Sequence, residues 1–208
     1  MSRTVREHQT VCASATRRRR TWFADHVVRS GLPWSWGATD AERRAEYPCA
    51  ALVPGPAVRL VRALDVAAPA ETTFRWVCQL RLAHYSYDLV DNHGRRSPRS
   101  LTPGAGDLCV GDLFLTLFEV DGWRRSREIT GVGLPDTTAR FGPMACTYRV
   151  EPAGEHASRL VGRLDVTARG RAARLAVAWG DLVMMRKQLR TLAGLAARDH
   201  RLWCTPCR

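Results

Sequence analysis

Between residues 84 and 99 the chain gathers His84, Tyr85, Tyr87, Asp88, Asp91, Asn92, His93, Arg95 and Arg99. That density of proton-handling and hydrogen-bonding groups is unusual for a connecting loop, and loops on a rigid scaffold are where binding and catalytic residues collect. At the mouth of a cavity, Tyr85 or Tyr87 could protonate a ligand carbonyl, His84 could act as a base, and Asp88 could handle a further proton. Asp91 and Asn92 would add ligand hydrogen bonds, and Arg95 or Arg99 could grip a carboxylate with two parallel donors. The same stretch can also serve itself. Aspartates in turns cap backbone amides, so Asp88 and Asp91 could do this or pair with Arg96 and Arg99.

A second group lies toward the C-terminus. Trp179, Met184 and Met185 could line a ligand cavity, where a thioether adapts to irregular shapes, or belong to an ordinary core stripe. Asp181 could favour the positive end of a helix or pair with Arg186 or Lys187 one turn on. Cys204 and Cys207 have the spacing of half a zinc site or a redox pair. A lone pair without a second pair or an adjacent strand-helix unit predicts an inert tail instead. The His and Asp spacing in 84–99 matches no ligand pattern, and Gly131-Val132-Gly133 lacks the wider pattern and helix of a nucleotide loop. No metal and no cofactor is predicted.

The elements that must position these groups are legible in order. Thr39-Asp40-Ala41-Glu42 has the form of a capping box and predicts a short helix to about Glu46. Pro48, Pro54, Gly55 and Pro56 break the chain before a first strand, with Val58, Leu60, Arg62, Leu64 and Val66 on one side of its pleat. A helix is predicted over about 69–82, its buried stripe formed by Phe74, Val77, Cys78, Leu80 and Leu82. Four β-type runs follow, at about 111–120, 125–132, 142–151 and 157–168. The turns predicted between them fall at Asp121-Gly122, Leu134-Pro135-Asp136 and Pro152-Ala153-Gly154. Leu175, Trp179, Leu182, Met185, Leu189, Leu192 and Ala196 predict a long amphipathic helix over about 174–199. Strand, helix, strands and long helix make an α+β chain whose antiparallel sheet is covered on one face by helices.

Composition narrows the function classes. Hydrophobic residues make up 45% of the chain and charged residues 25%, the balance of a globular protein. No apolar run approaches the ~20 residues of a spanning helix. The net charge of +12 invites a nucleic-acid reading. However, only Lys187 among the 32 basic residues is lysine, and the arginines are spread along the chain apart from Arg17–Arg20 and Arg95, Arg96 and Arg99. That dispersion argues against dedicated nucleic-acid binding. Seven cysteines, mostly isolated in apolar stretches, suit a reducing cytoplasm, and the N-terminal 20 residues lack the apolar core of a secretory signal. We expect a flexible basic arm over 1–33, one domain over 34–200 and a tail over 201–208.

The segments WGATDAERRAEYPC (36–49), LVPGP (52–56), YSYDLVDNHGRRSPRSLTPG (85–104), FGPMACTYRVEP (141–152) and WGDLVMMRKQLRTL (179–192) resemble the SRPBCC superfamily. This START-like group includes polyketide cyclases, lipid-transport domains and plant allergens of the same shape, and the likeness is more specific within one bacterial branch. The resemblance implies a helix-grip fold, in which a curved antiparallel β-sheet wraps around a long C-terminal helix and encloses a cavity for lipids, polyketides or other apolar compounds. The basic arm and the Cys204–Cys207 pair depart from that pattern. Binding or transport of a hydrophobic small molecule is the leading expectation. The alternative is a polyketide cyclase/dehydrase-type enzyme, in which the cavity folds a reactive chain. A third class, nucleic-acid or partner binding through the arm, predicts binding that falls steeply with salt. Trp76, Phe114, Phe118 or Trp179 could instead fill the cavity, leaving a packed scaffold.

Overall fold

The computed structural model describes residues 31–91, 94–168 and 170–204. Expectations placed on Arg17–Arg20, Asn92, His93 and Cys207, and on the side chains of Asp91 and Cys204, lie outside the described residues.

Residues 58–66 alternate and pair as the sequence predicts. Their strand joins one seven-stranded sheet in the order β1-β2-β7-β6-β5-β4-β3. The strands are β1 (Ser35–Trp36), β2 (Val58–Val66), β3 (Leu113–Phe114), β4 (Phe118–Arg124), β5 (Glu128–Gly133), β6 (Met144–Pro152) and β7 (Ser158–Val166). All neighbours are antiparallel except β1, which runs parallel to β2. The helices are α1 (Asp40–Arg44), α2 (Cys49–Leu52), α3 (Ala70–Cys78), α4 (Asp88–Asp91), α5 (Pro135–Phe141) and α6 (Arg171–Cys204). A single 3-10 turn, Gln79–Arg81, continues α3.

The inner face of the sheet carries Leu60, Val66, Cys146, Tyr148, Val150, Leu160 and Leu164, which pack with α3 and the buried side of α6 into the main core. This is the helix-grip arrangement. The outer face is also covered, because Tyr47, Cys49 and Val53 pack against Val61, Ala63, Ala145 and Val161 in a second cluster. The capping box forms: Glu42 N–H donates to Thr39 Oγ1 at 3.2 Å, and Thr39 N–H donates to Glu42 Oε2 at 2.6 Å. Arg159 Nε then reaches Glu42 Oε1 at 2.7 Å, so α1 is tied to β7.

The structure corrects several element boundaries. The run 111–120 is not one strand, because Leu115 and Thr116 take φ of +54° and +52° and fold β3 back onto β4. Asp121-Gly122 is not a turn. It sits within β4 where the register shifts as a bulge, and the reversal falls later, with Ser126 at φ +56°. Leu134-Pro135-Asp136 opens α5, with Pro135 in its first turn, where a missing N–H costs nothing. Helix α1 ends at Arg44, two residues short of Glu46, and α6 runs beyond both predicted ends. Leu82, Leu175 and Trp179, placed by periodicity on buried stripes, are exposed. The 3-10 turn breaks the helical period before Leu82, and the first turns of α6 project past the core.

Two glycines predict opposite responses. Gly142 has φ +90°, and a Cβ there would lie 2.4 Å from the Thr167 carbonyl oxygen. Gly142→Ala should therefore cost about 1–3 kcal/mol in urea unfolding. A Cβ on Gly180, within α6, meets nothing within 4 Å, so Gly180→Ala should raise stability by up to about 1 kcal/mol through helix propensity.

Candidate functional site

A cavity of about 1080 Å³ lies between the inner face of the sheet and the N-terminal half of α6. Its walls are largely apolar and include Leu115, Phe118, Met144, Leu164, Met184 and Met185. Exposed lining residues that include Ala139, Arg140 and Phe141 on α5 and Ala173, Ala176 and Gly180 on α6 mark the mouth. Gly142 makes the tight turn after α5, so the backbone itself fixes one lip.

Inside, α6 presents a polar stripe to the sheet. Asp181, Met185 and Gln188 stand at i, i+4 and i+7 on one helix face. Across the sheet, Arg62, Gly162 and Tyr148 are register partners in one row. Asp181 Oδ2 lies 2.8 Å from Arg62 Nη2, and Tyr148 donates its hydroxyl proton to Gln188 Oε1 at 2.5 Å. Between these contacts, Met185 occupies the space that a side chain on Gly162 would need: a Cβ there would sit 2.2 Å from Met185 Cε.

Arg62 is fully buried and is held by backbone carbonyls. Its Nη1 donates to Trp34 at 2.8 Å and Val61 at 3.2 Å, and its Nη2 donates to Pro33 at 2.7 Å and Ala178 at 3.3 Å. With both Nη2 protons so directed, the Asp181 contact is ionic without an aligned hydrogen bond, and Arg62 Nε is left without a partner among the described residues. Burial pushes the Asp181 carboxyl up to about 6, against the pull of Arg62. Burial likewise lowers the Arg62 guanidinium, which Asp181 partly offsets. The phenol of Tyr148 and the thiol of Cys146 are both driven well up by burial, so each stays protonated.

The residues expected to carry chemistry are only partly assembled here. His84 lines the cavity, and its Nε2 sits 2.7 Å from the Leu115 carbonyl and 2.9 Å from Thr116 Oγ1. A carbonyl only accepts, so Nε2 carries the proton and Nδ1 is left buried without a partner among the described residues. Tyr85 is buried away from the cavity lining, edge-on to Trp76 with ring centroids 6.0 Å apart. Tyr87 is exposed. Asp88 frames the loop, accepting from Ser97 N–H at 3.0 Å and Ser97 Oγ at 2.5 Å. Arg95 and Arg99 are exposed outside the lining, and the Arg99 carbonyl accepts from Arg198 Nη2. Met184 and Met185 line the cavity, whereas Trp179 is exposed outside it.

Asp181 pairs with Arg62 rather than with Arg186 or Lys187, and it stands on the third turn of α6, too far in for the dipole end. Those two readings of Asp181 came from sequence neighbours, and its partner is 119 positions away in sequence. Arg62 alternates inward with Leu60 and Leu64, and a charge on an otherwise apolar strand face was the one available sign. Of the four expected fillers, only Phe118 reaches the cavity. Trp76 instead donates its indole N–H to Asp199 Oδ2 at 3.0 Å, and Phe114 stacks edge-on to Tyr148. Among the described residues no group of three or more His, Cys, Asp or Glu is placed to hold a metal, and no helix is long and apolar enough to cross a membrane.

No family model matches the chain, and no curated protein matches it in sequence. Solved structures do match in fold. A protein from Thermobifida fusca, solved by solution NMR, is 17% identical, with 67% of this chain and 93% of that one covered at a TM-score of 0.50. The ZhuI aromatase/cyclase from Streptomyces sp. R1128 is 16% identical over 72% of this chain and 98% of its own, at a TM-score of 0.43. A START superfamily protein from Mycobacterium smegmatis is 12% identical over 70% of this chain and 98% of its own, at 0.38. The fold is of the helix-grip, START-like type.

The Arg62–Asp181 pair makes a measurable demand on stability. Asp181→Ala strands a buried guanidinium and should cost about 3–5 kcal/mol in urea unfolding, while the double change Arg62→Met/Asp181→Leu recovers most of it. Because the Asp181 carboxyl titrates higher in the folded chain, near 6, than its ordinary 3.8, the folded state binds the extra proton in that window. Relative to the double variant, wild-type stability should therefore rise as pH falls through the window and settle to a lower plateau above it.

Proposed function

We propose that the chain binds a hydrophobic small molecule, lipid-like or polyketide-like, in the cavity under α6. The cavity itself carries this reading: about 1080 Å³, walled mainly by aliphatic, aromatic and thioether groups, with a few buried polar groups at its inner end. That volume stands at the upper end of small-molecule sites, which run to ~1,000 Å³. Binding without chemistry is favoured by the scattering of the loop groups, since His84 alone among His84, Tyr85, Tyr87 and Asp88 lines the cavity. Free thiols at Cys49, Cys78, Cys109 and Cys146 support work in a reducing compartment.

A second reading, a cyclase/dehydrase-type enzyme, is favoured by one observation. Asp181 lines the cavity with a carboxyl that exchanges its proton near 6, where a general acid or base is effective near neutral pH. Positioning of a long reactive chain could supply about 7–11 kcal/mol of the barrier, so a single such group would suffice.

Titration of the full chain with Nile red reads the proposal directly, and native mass spectrometry of protein from its own host identifies any compound carried with it. Bound probe is expected, as is loss of affinity on the order of tenfold or more in Gly180→Trp, because the indole enters the cavity from a position with nothing within 4 Å of its Cβ. That variant should unfold at or slightly above the wild-type midpoint. Absence of probe binding in the wild type, or unchanged binding in the variant, would refute the cavity as the site.

A further inference from the structure

The inner end of the cavity is chemically one-sided. The donors on its lining are already engaged within the protein, the Tyr148 hydroxyl on Gln188 and the Gln188 amide on the His84 carbonyl at 2.6 Å, while Arg62, behind the lining, spends its Nη groups on four backbone carbonyls and keeps only a buried Nε unpaired among the described residues. Besides the fully buried His84 Nδ1, an ionised acceptor is left over. The Asp181 side chain is 7% exposed, its Oδ2 is buried against Arg62, and its Oδ1 takes no hydrogen bond from the described residues. Asp181 lines the cavity, so Oδ1 is the carboxylate atom on the ligand side.

We infer that the cavity selects ligands bearing a neutral hydrogen-bond donor, a hydroxyl or uncharged N–H, on an otherwise apolar body, and that Asp181 Oδ1 receives this donor. The inference rests on the proposed ligand-binding role and specifies its chemistry. Charge balance excludes the ionic alternatives. Arg62 already neutralises the carboxylate, so a ligand ammonium would add an uncompensated buried charge. A ligand carboxylate would face Asp181 oxygen to oxygen, and Arg62 is fully buried outside the cavity lining, so its one unpaired donor, Nε, is not presented to a ligand. Arg140 remains as a cation, but it is exposed at the mouth, where solvent and salt weaken its hold. A neutral donor adds one charge-assisted hydrogen bond without disturbing the pair.

The test displaces Nile red from the full chain at about pH 8, where Asp181 is ionised, with four matched compounds: hexylbenzene, para-hexylphenol, para-hexylbenzoate and para-hexylbenzylamine. The phenol should bind more tightly than hexylbenzene on the order of tenfold, the return for one hydrogen bond to a charged acceptor. The benzoate and the benzylamine should both fall below the phenol. In Arg62→Met/Asp181→Leu, the advantage of phenol over hexylbenzene should vanish while hexylbenzene still binds. If that variant does not fold, the wild-type series decides alone. Tightest binding by the benzoate would overturn the inference in favour of an arginine anchor, and tightest binding by the benzylamine would do so in favour of an unbalanced carboxylate. Equal binding by all four, or displacement by none, overturns it while leaving the cavity reading intact. Failure of Nile red itself to bind refutes both.

Discussion

The contact on which the rest of this structure depends is the clasp between α6 and the sheet. A long helix laid over an apolar sheet face can slide or roll with little change in buried area, because the hydrophobic effect is non-directional. Three residues of α6 remove that freedom. Asp181 meets Arg62, Met185 enters the gap above Gly162, and Gln188 accepts from Tyr148. The three sheet positions are one cross-strand row, so each contact fixes the helix against a different strand, β2, β7 and β6 in turn. Arg62 extends the clasp to the segment before β1 by bonding the carbonyls of Pro33 and Trp34. Trp36 completes it, with the guanidinium carbons of Arg186 and Arg190 over its ring at 5.4 and 5.3 Å from the ring centroid.

The cavity is a consequence of where the clasp sits. Beyond Asp181 toward the C-terminus, α6 buries Leu189, Leu192 and Ala196 completely and packs on α3, with Trp76 bonded to Asp199. Toward the N-terminus, the small residues Ala173, Ala176 and Gly180 face the cavity and have no bulk to fill it. These small residues leave the space open on the helix wall, and the clasp prevents the helix from collapsing into it.

Much of this architecture can be read in the sequence, for physical reasons. Capping at Thr39 and Glu42, the alternation along 58–66 and the period of α6 are local signals, each set by neighbours within a turn or a pleat. What escaped is non-local. Arg62 and Asp181 are separated by most of the domain, and no spacing rule pairs them. The loop 84–99 misled because polar density marks both a binding loop and a self-supporting one. Asp88 is occupied by Ser97, and Tyr85, held at φ +56°, is turned into the core against Trp76. The strand boundaries near Leu115 and Gly122 failed because positive φ at non-glycine residues and a bulge leave no mark in composition.

A buried ion pair is a poor way to obtain stability, since desolvating two charges costs about as much as their attraction returns, and apolar residues of similar volume commonly serve as well. Arg62 and Asp181 are better understood through what apolar residues cannot do. Two leucines facing each other would hold helix to sheet but would leave the inner end of the cavity chemically featureless, so any apolar molecule of suitable size could bind in any orientation. The pair keeps an accessible carboxylate oxygen in an apolar cavity, and the guanidinium, solvated by four carbonyls rather than by water, keeps that oxygen from being a net charge. The same contact that positions the helix therefore gives the cavity a polar pole, and the cost of burying the pair falls where it can discriminate between ligands.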